Sequence, residues 1–355
     1  MAFQILQDAA KQQAFPAASA AVTHKQELVA LRSLGSFTYD PASPTPSPDT
    51  LFDLASLTKL MATTVMSMLL YERGLLDLEM PVTSIVGEFA GEDPRRDEVT
   101  LRMLLAHSSG LPAYEKLFLR CRTRDELLQA AFLTDLANDP GSQAEYSDIG
   151  FIILGVALER LADETLDRFC QREIFGPLGL IQTTFHPAPD IRANIPPTAD
   201  DKTFRHRIIQ GEVQDENASI LGGVAGHAGL FASAQNVASF AYAMLPGKAS
   251  LLRPETLRLF ATREIAPPGT SRALGWDTPS PPSQSGNHFS ANSYGHLGYT
   301  GTSLWIDAER ELSITLLTNR TWPDCSNQAI KKIRPPFHNA IMESLGFTGR
   351  GQRIP

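Results

Sequence analysis

Ser56-Leu57-Thr58-Lys59 sets a nucleophilic hydroxyl and a lysine ammonium three residues apart at the head of a helical pattern. Residues at i and i+3 share a helical face, so the two side chains can meet. Serine is a weak nucleophile near neutral pH and needs a neighbouring base; a desolvated lysine is one such activator. Of the eight lysines, only Lys59 has a serine three positions before it. The residues that follow, Leu60, Met61, Val65, Met66, Met68, Leu69 and Leu70, are apolar nearly all the way round. That pattern marks a helix buried in the body of a domain, with Gly74 placed to end it. A serine in such a first turn sits beside unpaired backbone N–H groups at the positive end of the helix dipole, where developing negative charge is favoured. Serine is equally a preferred helix cap, so the four residues by themselves leave both readings open.

Outward from this stretch the chain alternates in period. Residues 2–13 read as a short amphipathic helix, and Ala18–Val22 with Leu28–Leu34 as a hairpin. Beyond the Ser56 helix, Leu101–Ala106, Asp125–Leu133, Asp148–Leu161 and Leu166–Ile174 carry helical spacing. Residues 185–212 are rich in proline and charge and predict no regular element. Helices are expected near 234–245 and 254–262, strands at Thr302–Ile306 and Leu312–Leu317 around a polar turn, and a closing helix at about Asn327–Leu345. Strands near both ends with helices between them predict an α+β fold: one antiparallel β-sheet flanked by helices, an α/β/α sandwich, with a mostly helical insertion. The expected division is 1–60 with 208–355 for the sandwich and 61–207 for the insertion, with the active site in the cleft between them.

Composition bounds the function. The 355 residues carry a net charge of −8 and no Lys/Arg cluster, which excludes a nucleic-acid surface. Cys121, Cys170 and Cys325 are too few and too scattered for a disulfide framework or paired zinc ligands. His206, Asp215 and His227 have no metal spacing, so neither metal nor cofactor is expected. Phe151–Leu158, the longest strongly apolar run, is too short to span a bilayer. Met1–Asp8 lacks a basic n-region and is followed by no apolar h-region, which predicts a cytoplasmic protein without membrane partners, or one already trimmed of its signal.

Two further motifs follow in order. Tyr146-Ser147-Asp148 stands ninety residues after Ser56, just before an apolar helix, and His296-Leu297-Gly298-Tyr299-Thr300-Gly301 a further 150 on, leading into a strand. With these, the chain resembles the serine β-lactamase and penicillin-binding superfamily, most closely its class C-like branch of D-aminopeptidases, carboxypeptidases and family VIII esterases. That branch pairs Ser-x-x-Lys with Tyr-x-Asn and with Lys-Thr-Gly or a His/Trp-x-Gly variant. Leu104-Leu105-Ala106-His107-Ser108-Ser109-Gly110-Leu111-Pro112 and Gly226-His227-Ala228-Gly229-Leu230-Phe231-Ala232-Ser233 also look like landmarks of the superfamily.

The resemblance implies a β-lactamase/transpeptidase-like fold with Ser56 as the acylated nucleophile and Lys59 as its partner. Tyr146 becomes base for acylation and acid for the leaving group. His296 and Gly298 edge the cleft, and the N–H groups of Tyr299 and Ser56 form an oxyanion hole, each donor contributing roughly 3 kcal/mol to the transition state. A tyrosine can act as base near neutrality only if adjacent cations favour its phenolate or share its proton, and Lys59 supplies one.

The chain departs from the pattern at two positions. Asp148 replaces the usual Asn, favours protonated lysine and shifts the base task toward Tyr146; it also suits the N-terminus of the following helix. His296 replaces a lysine, so fixed positive charge is lost near neutral pH, and activity is expected to change across roughly pH 5.5 to 7.5. Tyr146 also fits a buried aromatic, His296 an idle strand residue, His107 a loop anchor and Gly222–Gly229 plain turn chemistry. The expected function is a metal-free serine hydrolase for a small carboxylic ester or amide, with little β-lactamase activity. The alternatives are a peptidase or amidase on peptidoglycan-derived peptides, and a sensor that acylates without turnover.

Overall fold

In the computed structural model, residues 1–247 and 251–349 are described, together with the backbone of 352–353. The last residues of the expected 208–355 unit therefore lie outside the described part. In chain order the elements that frame the site are α1 (Ala2–Lys11), β1 (Ala17–His24), β2 (Glu27–Gly35), α2 (Val65–Glu72), α3 (Asp148–Ala162), α4 (Ala234–Ala243), β3 (Tyr294–Leu297), β4 (Ser303–Asp307), β5 (Leu312–Thr318) and α5 (Ile330–Ser344).

The alanine-rich sequence of β1 explains its place. Its side chains are small and buried on both faces, so helices can close on either side of it. Lys25 and Gln26, both at positive φ, turn the chain tightly into β2, and on its other side β1 pairs with β5, with Ala18 opposite Thr318. The sheet runs β2-β1-β5-β4-β3 with antiparallel neighbours throughout. Period-2 alternation divides its side chains. Ala18, Ala20, Val22, Trp305, Ile314 and Leu316 pack with Leu6 of α1 and Phe337 and Ile341 of α5. Ala17, Ala21, Leu304, Ile306 and Leu317 join the larger core with Val237 and Phe240 of α4 and the buried helices α2 and α3. The molecule is thus an α+β fold with its antiparallel sheet between helical layers.

Three local features differ from expectation. The helix that follows Ser56 is interrupted by a π-helical turn, Lys59–Thr64, and the α form resumes at Val65. Phe52–Asp53 pairs with Phe231–Ala232, and the segment expected to be irregular holds a small ladder, Ala199–Asp201 against Arg207–Ile209. Strands of two or three residues are too short for periodicity to reveal. Among the described residues no helix is long and apolar enough to cross a membrane.

Candidate active site

The turn that carries Ser56 is fixed from its own sequence. Asp53 Oδ1 accepts the Ala55 N–H at 2.8 Å, and Ala55 holds the left-handed value φ +47, which a non-glycine residue adopts only when its surroundings impose it. The N–H groups of Leu57, Thr58 and Lys59 then donate to the carbonyls three residues back at 3.1, 3.0 and 3.1 Å. Such three-residue turns eclipse i and i+3, so Ser56 Oγ faces Lys59 Nζ at 3.2 Å. These three N–H groups are occupied, contrary to the expectation of free donors along the first turn. The N–H of Ser56 itself has no acceptor among the described residues.

The loop before α3 delivers Tyr146. His107, at φ +56, accepts the Ser147 N–H on Nδ1 at 3.0 Å and stacks its ring 4.8 Å from that of Tyr146, so the anchor role expected of His107 falls on the tyrosine. Ser147 caps α3 by accepting the Gly150 N–H at 3.0 Å. Tyr146 Oη then stands 2.7 Å from Ser56 Oγ and 2.6 Å from Lys59 Nζ. Asp148, first residue of α3, receives Lys59 Nζ at 2.6 Å and the Tyr146 hydroxyl at 3.0 Å on the same oxygen, Oδ1. It thus meets the lysine and the helix start together.

Lys59 is fully buried and also donates to His227 O at 3.1 Å. Four oxygens surround an ammonium with three N–H groups. The glycine-rich loop reaches this depth because Gly226 lacks a side chain: a Cβ there would stand 2.1 Å from Phe151 O.

The third segment closes the other side. His296 lies on β3, its ring 5.8 Å from that of Tyr146, and Gly298 follows the strand. A Cβ on Gly298 would meet Thr302 Oγ1 at 1.9 Å and Leu54 O at 2.6 Å, so only glycine lets this strand end abut the serine turn. Thr300 and Thr302 fasten the contact, donating to the carbonyls of Asp53 and Leu54 at 2.8 and 2.9 Å. Tyr299 is half-exposed, and its N–H has no acceptor among the described residues.

Burial governs the electrostatics. It pulls the Lys59 ammonium below its usual value, opposed by Asp148. It pushes the Tyr146 phenol well above 10, helped by Asp148 and opposed by the hydrogen bond with Ser56. Tyr146 therefore rests protonated, first because burial disfavours its phenolate and then because Asp148 stands beside it. Burial, with Lys59 and Arg272 beside it, drives His296 down to about 3. The imidazole is thus neutral throughout pH 5.5 to 7.5, which corrects the titration expected from residue type.

Sequence reading missed several neighbours. Arg272 holds its guanidinium 5.6 Å from the Tyr146 ring and comes from a loop with no motif. Asp215 Oδ1 accepts from His227 Nε2 at 2.9 Å, and burial works against its carboxylate while His227 holds it low. Arg334 of α5 donates to Gly298 O at 3.0 Å; a cation on the apolar face of a helix was its signal. Among the described residues no group of three or more His, Cys, Asp or Glu could hold a metal ion.

The profile of the Beta-lactamase family matches residues 2–332. The chain belongs to the Beta-lactamase family. It is 32% identical over 305 residues to the N-acetylmuramyl-L-alanine amidase of Bacillus subtilis strain 168, covering 76% of this chain and 68% of that protein. Among solved Beta-lactamase-like folds, EstCE1, a hydrolase with promiscuous acyltransferase activity, superposes with TM-score 0.77 at 19% identity over 95% of this chain and 97% of that one. The class C beta lactamase from Rhodobacter sphaeroides gives 0.73 at 18% identity over 97% and 99%. The Beta-lactamase-family chain is accordingly an enzyme of a serine hydrolase family.

Proposed function

We propose that this protein hydrolyses a small carboxylic amide or ester through an acyl-enzyme on Ser56, with peptidoglycan-derived amides as the favoured substrates. The observation that carries the reading is the contact of Ser56 Oγ, Tyr146 Oη and Lys59 Nζ, with separations of 2.7, 2.6 and 3.2 Å. Ser56 Oγ attacks the carbonyl carbon as its proton passes to Tyr146, and Tyr146 hands its own proton to the Lys59–Asp148 pair, whose carboxylate can take it. The same proton returns through Tyr146 to the leaving group as its bond to the carbonyl carbon breaks, and a water then attacks the acyl-serine by the same proton path, releasing the acid and restoring Ser56. The N–H groups of Ser56 and Tyr299 receive the oxyanion. His296, neutral, shapes the cleft without supplying charge, and this is the ground for expecting weak β-lactamase activity.

Two points support the amide preference. The Bacillus subtilis relative is an amidase by name. The hydroxyl of the exposed Tyr114 stands 3.5 Å from Glu216 Oε2, and the loop Pro112 to Arg122 that carries it offers such polar groups to a peptide. The reading includes the division into a sandwich unit, 1–60 with 208–355, and a helical unit, 61–207, with the site between them.

Ser56→Ala is expected to abolish turnover of p-nitrophenyl butyrate and muropeptides and to abolish covalent labelling by a fluorophosphonate. Undiminished hydrolysis by that variant would refute the acyl-enzyme. Muropeptide turnover below ester turnover would shift the preference to esters.

A further inference from the structure

Among the described residues Arg334 is a buried cation without a counter-charge. It lies four residues after Ile330 and three before Phe337 on the apolar face of α5 and is only 4% exposed. The charged group that acts on it is another cation, Arg320; burial first, then Arg320, pulls the guanidinium down to about 9, which still leaves it charged at neutral pH. An unpaired buried charge is costly and is retained for a reason other than packing. Its Nη2 donates to Gly298 O at 3.0 Å and to Thr302 O at 2.9 Å, while Nε has no partner among the described residues.

The Gly298 carbonyl and the Tyr299 N–H belong to one peptide plane, and in a trans peptide they point in opposite directions. With Arg334 gripping the carbonyl from behind, the N–H is aimed away from it, toward a side where no acceptor among the described residues meets it. The Gly301 N–H donates to the same carbonyl at 3.0 Å. Donors stacked on one carbonyl polarise its peptide, and a charged donor does so most strongly.

We infer that Arg334 is a positioning residue for acyl transfer: by holding the Gly298 carbonyl it fixes and polarises the Tyr299 N–H that meets the oxyanion. The inference rests on the acyl-enzyme reading of Ser56 and adds a residue that touches no substrate.

Arg334→Gln keeps a donor for one carbonyl and loses the charge; Arg334→Lys keeps the charge and loses the fork. Rates are measured on p-nitrophenyl butyrate, per molecule titrated at Ser56 by a fluorophosphonate. Affinity is measured for phenylboronic acid, which forms a tetrahedral adduct on the serine, and for butyrate, the product. Arg334→Gln is expected to lower kcat ten- to hundredfold, to keep KM within about twofold, and to weaken the boronate by a similar factor while butyrate binds as before. Arg334→Lys should lose less in each. Unchanged kcat and boronate affinity in Arg334→Gln, or a rise in KM alone, overturns the inference. If Arg334→Gln does not fold, Arg334→Lys decides by the ratio of boronate to butyrate affinity: a fall supports the role and an unchanged ratio overturns it. Full activity in Arg334→Gln beside an inactive Ser56→Ala defeats this inference alone, whereas activity in Ser56→Ala defeats the acyl-enzyme reading itself.

Discussion

Asp148 acts on two neighbours in the same direction. It raises Lys59 against the pull of burial and adds to the rise of Tyr146. Asp148→Asn keeps the size and an acceptor but removes the charge, so both groups lose their protons at lower pH. The pH profile of kcat/KM is therefore expected to move toward acid by about one unit or more, the scale of an opposite charge at contact distance. A profile that stays in place would disconnect Asp148 from the proton path. The residue scale also marks the limit of reading from sequence. Ser56, Lys59, Tyr146 and Asp148 were legible because motif order brought them together, and all four meet. The state of His296 was not legible, because an imidazole of ordinary type titrates near pH 6.5, and its burial, with Lys59 and Arg272 brought beside it by the fold, moves it to about 3.

The strand end at Gly298 and the serine turn form one joint between elements. Gly298→Ala would drive a methyl group into Thr302 Oγ1 and Leu54 O, at 1.9 and 2.6 Å. The joint must open, which is expected to lower kcat by at least about 100-fold, in the range of losing one oxyanion donor, and to lower the thermal midpoint. Hydrolysis rates and calorimetry check both, and an alanine variant with parental kcat would show that the joint does not set the reaction geometry. Long elements were readable: the hairpin, the buried helices and the closing strands lie within a few residues of their expected bounds. The π-turn at Lys59–Thr64 was not, since it arises where a buried lysine and Thr63, which donates to Gly226 O at 2.6 Å, are drawn toward a distant loop. Arg334 was half-readable, a cation on a face otherwise apolar, whose partners belong to another element.

Asp53 gathers distant parts of the molecule. Its carboxylate accepts the N–H groups of Ala55 and Gln214 at 2.8 and 2.6 Å, and its carbonyl accepts Thr300 Oγ1 at 2.8 Å. Burial raises it to about 6, with the two backbone donors and Arg205 opposing and Asp215 adding to the rise. In the unfolded chain an aspartate titrates near 3.9. The folded state therefore binds more protons between about pH 4 and 6, and stability falls as pH rises through that window, by roughly 3 kcal/mol, and not beyond it. Urea unfolding at pH 4, 5, 6 and 7 is expected to show this decline in the parent and to lose it in Asp53→Asn; the same slope in both would assign it to other groups. The overall architecture could be read from strands near both ends of the chain, whereas the sheet order and the clasp at Asp53 are products of folding in three dimensions. That clasp has a temporal side. Leu54 waits for Thr302 across 248 positions, and a ribosome builds the chain from its N-terminus. Ser56 is therefore made long before the threonines that shape its surroundings, and a nascent or prematurely ended polypeptide carries the hydroxyl without the catalyst.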